Sequence, residues 1–224
     1  SCDGVRTVTL PAKHTAVKDA AVAATVFKAG KTEGSHCKVC GKVLRKQASV
    51  AKLKPTISLT ASSLKMKAGQ STTVFKAAGL AKGDYVTKVT SGNTGIVKVS
   101  SVTKKGTFRL TAGKKAGSTT VKVILASKKS ASFKVTVQRG VVKTSKITVS
   151  TKSVTLKKGT TYRKLASSVK VTPVTSQEKV TYTSSNKKIV TVTSGGVIKG
   201  LKKGNATITI RSGSKRTTCK VTVK

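Results

Sequence analysis

Carboxylates are the scarcest chemistry in this chain: five acids, Asp3, Asp19, Glu33, Asp84 and Glu178, against 46 lysines and arginines. No two of them are neighbours on a predicted element, so hydrolysis by paired carboxylates has no pair to work with. A calcium site, which needs several oxygen donors with carboxylates among them, is likewise unsupported. The two histidines, His14 and His36, lie near the N-terminus, and nothing at the strand ends completes a nucleophile–histidine–acid set. Glycines stand mostly singly in turns, with no G-x-x-x-x-G-K-S/T loop to cradle phosphates. The chain is read as non-catalytic.

Aromatics are nearly as rare: four Phe, three Tyr and no Trp. Base-stacking surfaces and sugar platforms are built from aromatic rings. Tyr85, Tyr162 and Tyr182 are too few and too scattered to favour a glycan-binding accessory region of a secreted enzyme. No stretch of about 18 apolar residues exists, so no membrane-spanning helix is expected. No charged-then-apolar leader is found, and with Ser at position 1 the chain reads as a mature form or an excised part of a longer protein.

What is abundant is positive charge, a formal +41 with 39 of the 46 basic residues being lysine. Such a balance implies polyanionic neighbours. It is also tolerable as a solvated surface, since two lysines about 10 Å apart in water repel by roughly 0.4 kcal/mol before salt screens them. The lysines recur along the whole chain instead of forming one stripe, and arginine, which reads bases and phosphates bidentately, occurs seven times. Diffuse lysine suits non-specific attraction, so a nucleic-acid-binding protein is the runner-up reading and no specific nucleic acid is expected.

The second abundance is repetition. Ile57-Ser-Leu59 returns as Ile147-Thr-Val149, Ile96-Val-Lys-Val99 as Ile189-Val-Thr-Val192, and Phe133-Lys-Val-Thr-Val137 as Cys219-Lys-Val-Thr-Val223, at offsets of 90, 93 and 86 residues. A period that long is a duplicated domain, not a solenoid turn. Within each copy apolar residues alternate: Val121, Val123, Val135 and Val137 in the first, Ile208, Ile210, Val221 and Val223 in the second, with Thr and Lys between them. Glycines at 69, 83, 106, 113 and 117 punctuate the first copy. Short alternating strands with glycine turns predict all-β architecture: two antiparallel sandwiches, residues 55–140 and 141–224, after a small N-terminal module, residues 1–54. Residues 139–144 form a joint too short for a floppy tether, so limited bending is expected.

In the N-terminal module Val5–Leu10 alternates like a strand. The alanines of 19–25 favour a helical turn while Thr25-Val-Phe27 favours β structure. Gly30 and Gly34 mark turns, and Lys42–Leu44 reads as a strand. Cys37-Lys-Val-Cys40 is a C-x-x-C knuckle able to turn two thiolates toward one tetrahedral metal. A structural zinc site needs two more ligands, for which His14 and Cys2 are candidates, with His36 as a substitute. A Cys37–Cys40 or Cys2-linked disulfide and free thiols are the alternatives, and a piece this small gains stability from either staple. Cys219, inward by parity, is expected to be a buried apolar thiol. Asn93 and Asn186 are expected to serve turns. A lysine–asparagine crosslink, which needs a nearby buried acid, is not expected, because Asp84 and Glu178 occupy non-equivalent positions.

The motifs Ser185-Asn186-Lys-Lys-Ile-Val-Thr-Val192, Gly195-Gly-Val-Ile-Lys-Gly200 and Lys203-Gly204-Asn-Ala-Thr-Ile208 resemble the group 2 bacterial immunoglobulin-like domains. The first copy is similar, departing where Lys105-Gly-Thr-Phe-Arg-Leu110 stands in place of the Gly195–Gly200 motif. The segment from His14 to Gly41 resembles a short cysteine-containing repeat of bacterial surface proteins, in which a cysteine stands where this chain has Val26. The resemblance implies tandem sandwiches on an extracellular, cell-surface or secreted bacterial protein, acting as a spacer or binding stalk. The charge points to anionic polymers of the cell wall or matrix as partners, with other surface proteins as the alternative. The resemblance also implies that the metal site requires Cys2 to replace the missing ligand.

Overall fold

The computed structural model describes residues 14–224, so the expectations for Val5–Leu10 and for Cys2 lie outside the described residues. The regular structure of the described chain is all β-strand, apart from one 3-10 turn at Ala166–Ser168. Two larger β units follow a small N-terminal one.

The small unit is a three-stranded antiparallel sheet with Gly34–Cys37 between Ala16–Asp19 and Val43–Arg45. A two-stranded ribbon pairs Gly30–Lys31 with Ser49–Val50. Residues 19–25 form no helix: the strand ends at Asp19 and Val22 bridges Lys31. Gly30 and Gly34 lie in strands, not turns. A Cβ on Gly30 would stand 2.4 Å from the Val22 carbonyl oxygen, so its role is close backbone approach. The unit seats on the next one through the Val26 N–H, which donates to the Lys82 carbonyl at 3.0 Å, and through Thr25, which packs against Gly83.

In the first large unit a four-stranded sheet runs Val86–Ser91, Gly117–Leu125, Ser130–Gln138, Ser63–Lys67. Its last pair is parallel and the others antiparallel. Facing it is a three-stranded sheet of Val97–Ser100, Arg109–Ala112 and Ser71–Thr72. The second large unit repeats this plan: Val180–Ser184, Gly204–Ser212, Lys215–Val223 and Ser153–Leu156, opposed by Val190–Val192, Ile198–Gly200 and Thr161–Tyr162. The hairpin arm Arg109–Ala112 therefore takes the same place as Ile198–Gly200 although the two sequences differ there. Pairing with Ser71–Thr72 and Thr161–Tyr162 preserves the arrangement, because backbone hydrogen bonds are indifferent to side-chain identity.

All eight residues assigned inward by alternation are buried, and so is Cys219. The two cores are filled differently. The first holds three phenylalanines, with Phe75 and Phe133 stacked at 3.9 Å and Phe108 6.2 Å from Phe133. In the second, Leu165 stands 90 residues after Phe75, and Cys219 matches Phe133 by register, since Val121 faces Phe133 and Ile208 faces Cys219. Gly196 stands two residues before Ile198 as Phe108 stands before Leu110, and the Tyr182 ring lies 3.0 Å from where a Gly196 Cβ would be.

The joint is packed. Val142 and Thr144 are buried. The Thr144 hydroxyl lies 2.8 Å from that of Ser176 and 2.6 Å from that of Ser212, and its N–H donates to the Glu178 carboxylate at 2.7 Å. The Gln70 amide donates to the Thr175 carbonyl at 3.2 Å, and the Thr175 hydroxyl donates to the Lys65 carbonyl. These bonds tie the loop before Glu178 to the edge of the first sandwich, which restricts bending at the joint.

Truncating Phe133 removes a ring stacked in a fully buried site. Phe133→Ala is expected to destabilise the first sandwich by about 3–5 kcal/mol, read as an earlier denaturant midpoint for that unit.

Candidate metal centre

The antiparallel register pairing Ala16 with Cys37 carries the chain N-terminal to Ala16 past the end of the Gly34–Cys37 strand, over the turn that follows it. The Lys38 N–H closes this arrangement by donating to the Thr15 carbonyl at 2.9 Å. His14, one residue earlier, comes to rest beside the knuckle. Its ligand nitrogen and the Sγ atoms of Cys37 and Cys40 all lie within 4.8 Å of one another. The His14 Nδ1 is 3.5 Å from Cys40 Sγ.

The knuckle owes its shape to local backbone bonds. The Cys37 N–H donates to the Lys42 carbonyl at 2.8 Å and the Gly41 N–H to the Cys37 carbonyl at 2.9 Å. Gly41 adopts a φ of 69°, a left-handed conformation that a side chain disfavours. Cys37 is buried, while His14 and Cys40 are exposed and Val39 at the turn tip is 87% exposed. The pair is thus held from below and open to solvent above.

The electrostatics favour a thiolate. The backbone N–H of Cys40, the side chain of His14 and the backbone N–H of Val39 hold the Cys37 thiol well below the ordinary range, at about 6, against an opposing desolvation penalty. Among the described residues Cys37, Cys40 and Cys219 form no disulfide. By contrast, burial pushes the Cys219 thiol up, consistent with an inert core residue. One imidazole and two thiols, with one thiol poised as the anion, form a donor set that suits tetrahedral zinc.

Of the candidate ligands, His14, Cys37 and Cys40 come together and Cys2 lies outside the described residues. His36 does not serve as a substitute. Adjacent to Cys37 on a strand, it faces the other side, where its Nδ1 meets the Asp19 carboxylate at 2.7 Å. Val26, where the resembling repeat carries a cysteine, is half-buried at the seat on the first sandwich. Asn93 and Asn186 serve turns: their side-chain oxygens accept from Gly95 N–H at 2.9 Å and Lys188 N–H at 3.0 Å. Asp84 accepts from the Ser127 hydroxyl at 2.6 Å, and Glu178 belongs to the joint. That joint network was not anticipated from the residues, because its hydroxyls come from segments up to 68 residues apart.

Residues 143–223 match the bacterial Ig-like domain (group 2). No curated protein matches the chain. Among solved structures, the chain is similar to domains 5-6 of the S-layer protein SbsC, at 22% identity and TM-score 0.38, over 75% of this chain and 96% of that one. A longer SbsC structure, rSbsC(31-844), is similar at 19% identity and TM-score 0.34; the match covers 88% of this chain but 32% of that one. Extracellular cadherin domains 1-4 of protocadherin gamma B7 follow at 11% identity and TM-score 0.35, over 88% of this chain and 57% of that one. Likeness at this level carries no argument about function.

A thiol with a depressed pKa is a thiolate above that value and a neutral, non-ligating thiol below it. Protons compete with a bound metal for these thiolates, so zinc retained at neutral pH is expected to be released on acidification, at a pH below the metal-free thiol's value because the ion itself keeps the sulfur ionised, measured as metal remaining after gel filtration. Cys40→Ser should abolish retention and Cys219→Val should preserve it. A metal content under about a tenth of an ion per purified chain would exclude the site.

Proposed function

We propose that this chain is a non-catalytic module of a bacterial cell surface, a spacer or binding stalk whose lysines draw it to polyanions of the cell envelope or host matrix. The observation that carries the reading is two sandwiches of one plan connected by a packed joint, with almost no carboxylate to offset the lysines on their surfaces. A fixed joint suits a part that must hold distance, because a flexible tether would let the ends collapse together. The match of residues 143–223 to a bacterial Ig-like domain supports the surface setting. Among the described residues no helix is long and apolar enough to cross a membrane.

Among the described residues of the N-terminal unit, Ala24 and Cys37 are the buried apolar ones. We assign its staple to a structural zinc held by His14, Cys37 and Cys40, with Cys2 as the candidate fourth ligand. The ion would crosslink the knuckle to the chain entering the first strand, and its binding energy would add directly to folding.

Charge-driven attraction has a defined signature. Association with an anionic polymer releases counterions, so log K should fall linearly with log salt concentration. Binding to immobilised lipoteichoic acid or heparin is expected to weaken by more than about tenfold between low and physiological salt. Affinity that does not change with salt would overturn the electrostatic reading.

A further inference from the structure

The lysines are not as diffuse in three dimensions as they are along the chain. On the outer face of the first sandwich's four-stranded sheet, Lys88 faces Ile124, and Lys122 lies two residues from Ile124 on that next strand. Lys122 faces Ser132, and Lys134 lies two residues beyond it on the third strand. Lys134 faces Ser63, and Lys65 lies two residues beyond that on the fourth. Each crossing to a neighbouring strand is thus accompanied by the same shift along it. Lys88, Lys122, Lys134 and Lys65 form one straight diagonal across the sheet, and all four are exposed. With strands about 4.8 Å apart and about 3.4 Å per residue, successive lysines are about 8 Å apart and the row spans about 25 Å.

The second sandwich shows that the fold does not require this row. By the same register its equivalent positions are Thr181, Thr209, Lys220 and Thr155, so three of the four lysines are threonine. No carboxylate shares the face in the first sandwich. Its other outward positions include Thr120, Ser132 and Thr136, and the nearby Asp84 is held by Ser127. Aligning four like charges without a counter-charge costs stability unless an anion is present.

We infer that this diagonal is a docking track for a linear phosphodiester polymer whose phosphates are separated by short polyols, as in cell-wall polyol phosphates. The inference rests on the charge-driven reading above and locates its site. A lysine ammonium is a compact phosphate partner, and three-carbon polyols space successive phosphates comparably to the lysines. The face carries no aromatic side chain or arginine for bases or sugar rings to stack on, which disfavours single-stranded nucleic acid and glycans as its occupant. The hydroxyls between the lysines are suited to the polyol.

The test uses the full chain and synthetic glycerol phosphate oligomers. Lys65→Thr, Lys88→Thr and Lys122→Thr together install the residues that the second sandwich carries at the same register, so the fold is preserved. This triple variant should bind at least about tenfold more weakly and lower the salt slope by about 2, from roughly 0.7 per phosphate contact. Lys187→Thr, Lys202→Thr and Lys203→Thr remove the same charge from exposed turns of the second sandwich and should change the slope by less than about 0.5. Adding Thr155→Lys, Thr181→Lys and Thr209→Lys to the first triple restores the net charge and rebuilds the row on the other sandwich, and should restore binding. Equal losses in the two triples would overturn the track while leaving charge-driven affinity intact; salt-independent binding by the unmodified chain would instead sink the parent reading. An oligothymidylate of equal phosphate number bound as tightly would overturn the assignment to a base-free polymer.

Discussion

Everything in the two sandwiches depends on one alternation: successive side chains on a strand face opposite ways, and here one direction is mainly apolar while the other is mainly Lys, Thr or Ser. Val121, Val123, Val135 and Val137 are at most 2% exposed, while their neighbours Lys122 and Lys134 lie in solvent. A slip of one residue would exchange the two sets and place several ammonium groups in a core with no carboxylate to receive them. The charge excess that makes the surface unusual therefore also enforces the register.

Within that constraint the copies have diverged where packing permits. Three rings fill the first core, whereas Leu165, Cys219 and a tyrosine laid over Gly196 occupy the second. Both reach tight interiors by different shapes, as expected when total volume matters more than residue identity. The joint follows another logic. Its buried polar side chains, Thr144, Thr175 and Ser212, carry hydroxyls, with half-buried Gln70 and Glu178 beside them, and among the described residues no buried side-chain nitrogen or oxygen lacks a partner. A satisfied network of this kind holds a defined geometry, because opening it would strand polar groups away from protein partners.

The all-β class and the inward residues were legible in the sequence because a strand's period of two is local and both copies display it. Cys219 was legible as a core residue for the same reason, and the asparagine turns because the side chain bonds backbone only two residues away. The metal centre was half legible. The C-x-x-C spacing marks a knuckle, but His14 joins it only through the pairing of Ala16 with Cys37, and strand parity sends His36 to Asp19 instead. Gly30 and Gly34 looked like turn residues because glycine punctuates turns more often than it relieves a close backbone contact.

By itself the sequence determined what depends on near neighbours: strand period, turn chemistry, the knuckle, the duplication and the sign of the surface charge. Tertiary structure decided what depends on register between distant strands. It joined Thr144 to Ser212, brought His14 to Cys40, and aligned Lys88, Lys122, Lys134 and Lys65. The reason is geometric. A lysine's place across a sheet depends on which residue of the next strand it faces, and the intervening hairpins and crossings set that pairing.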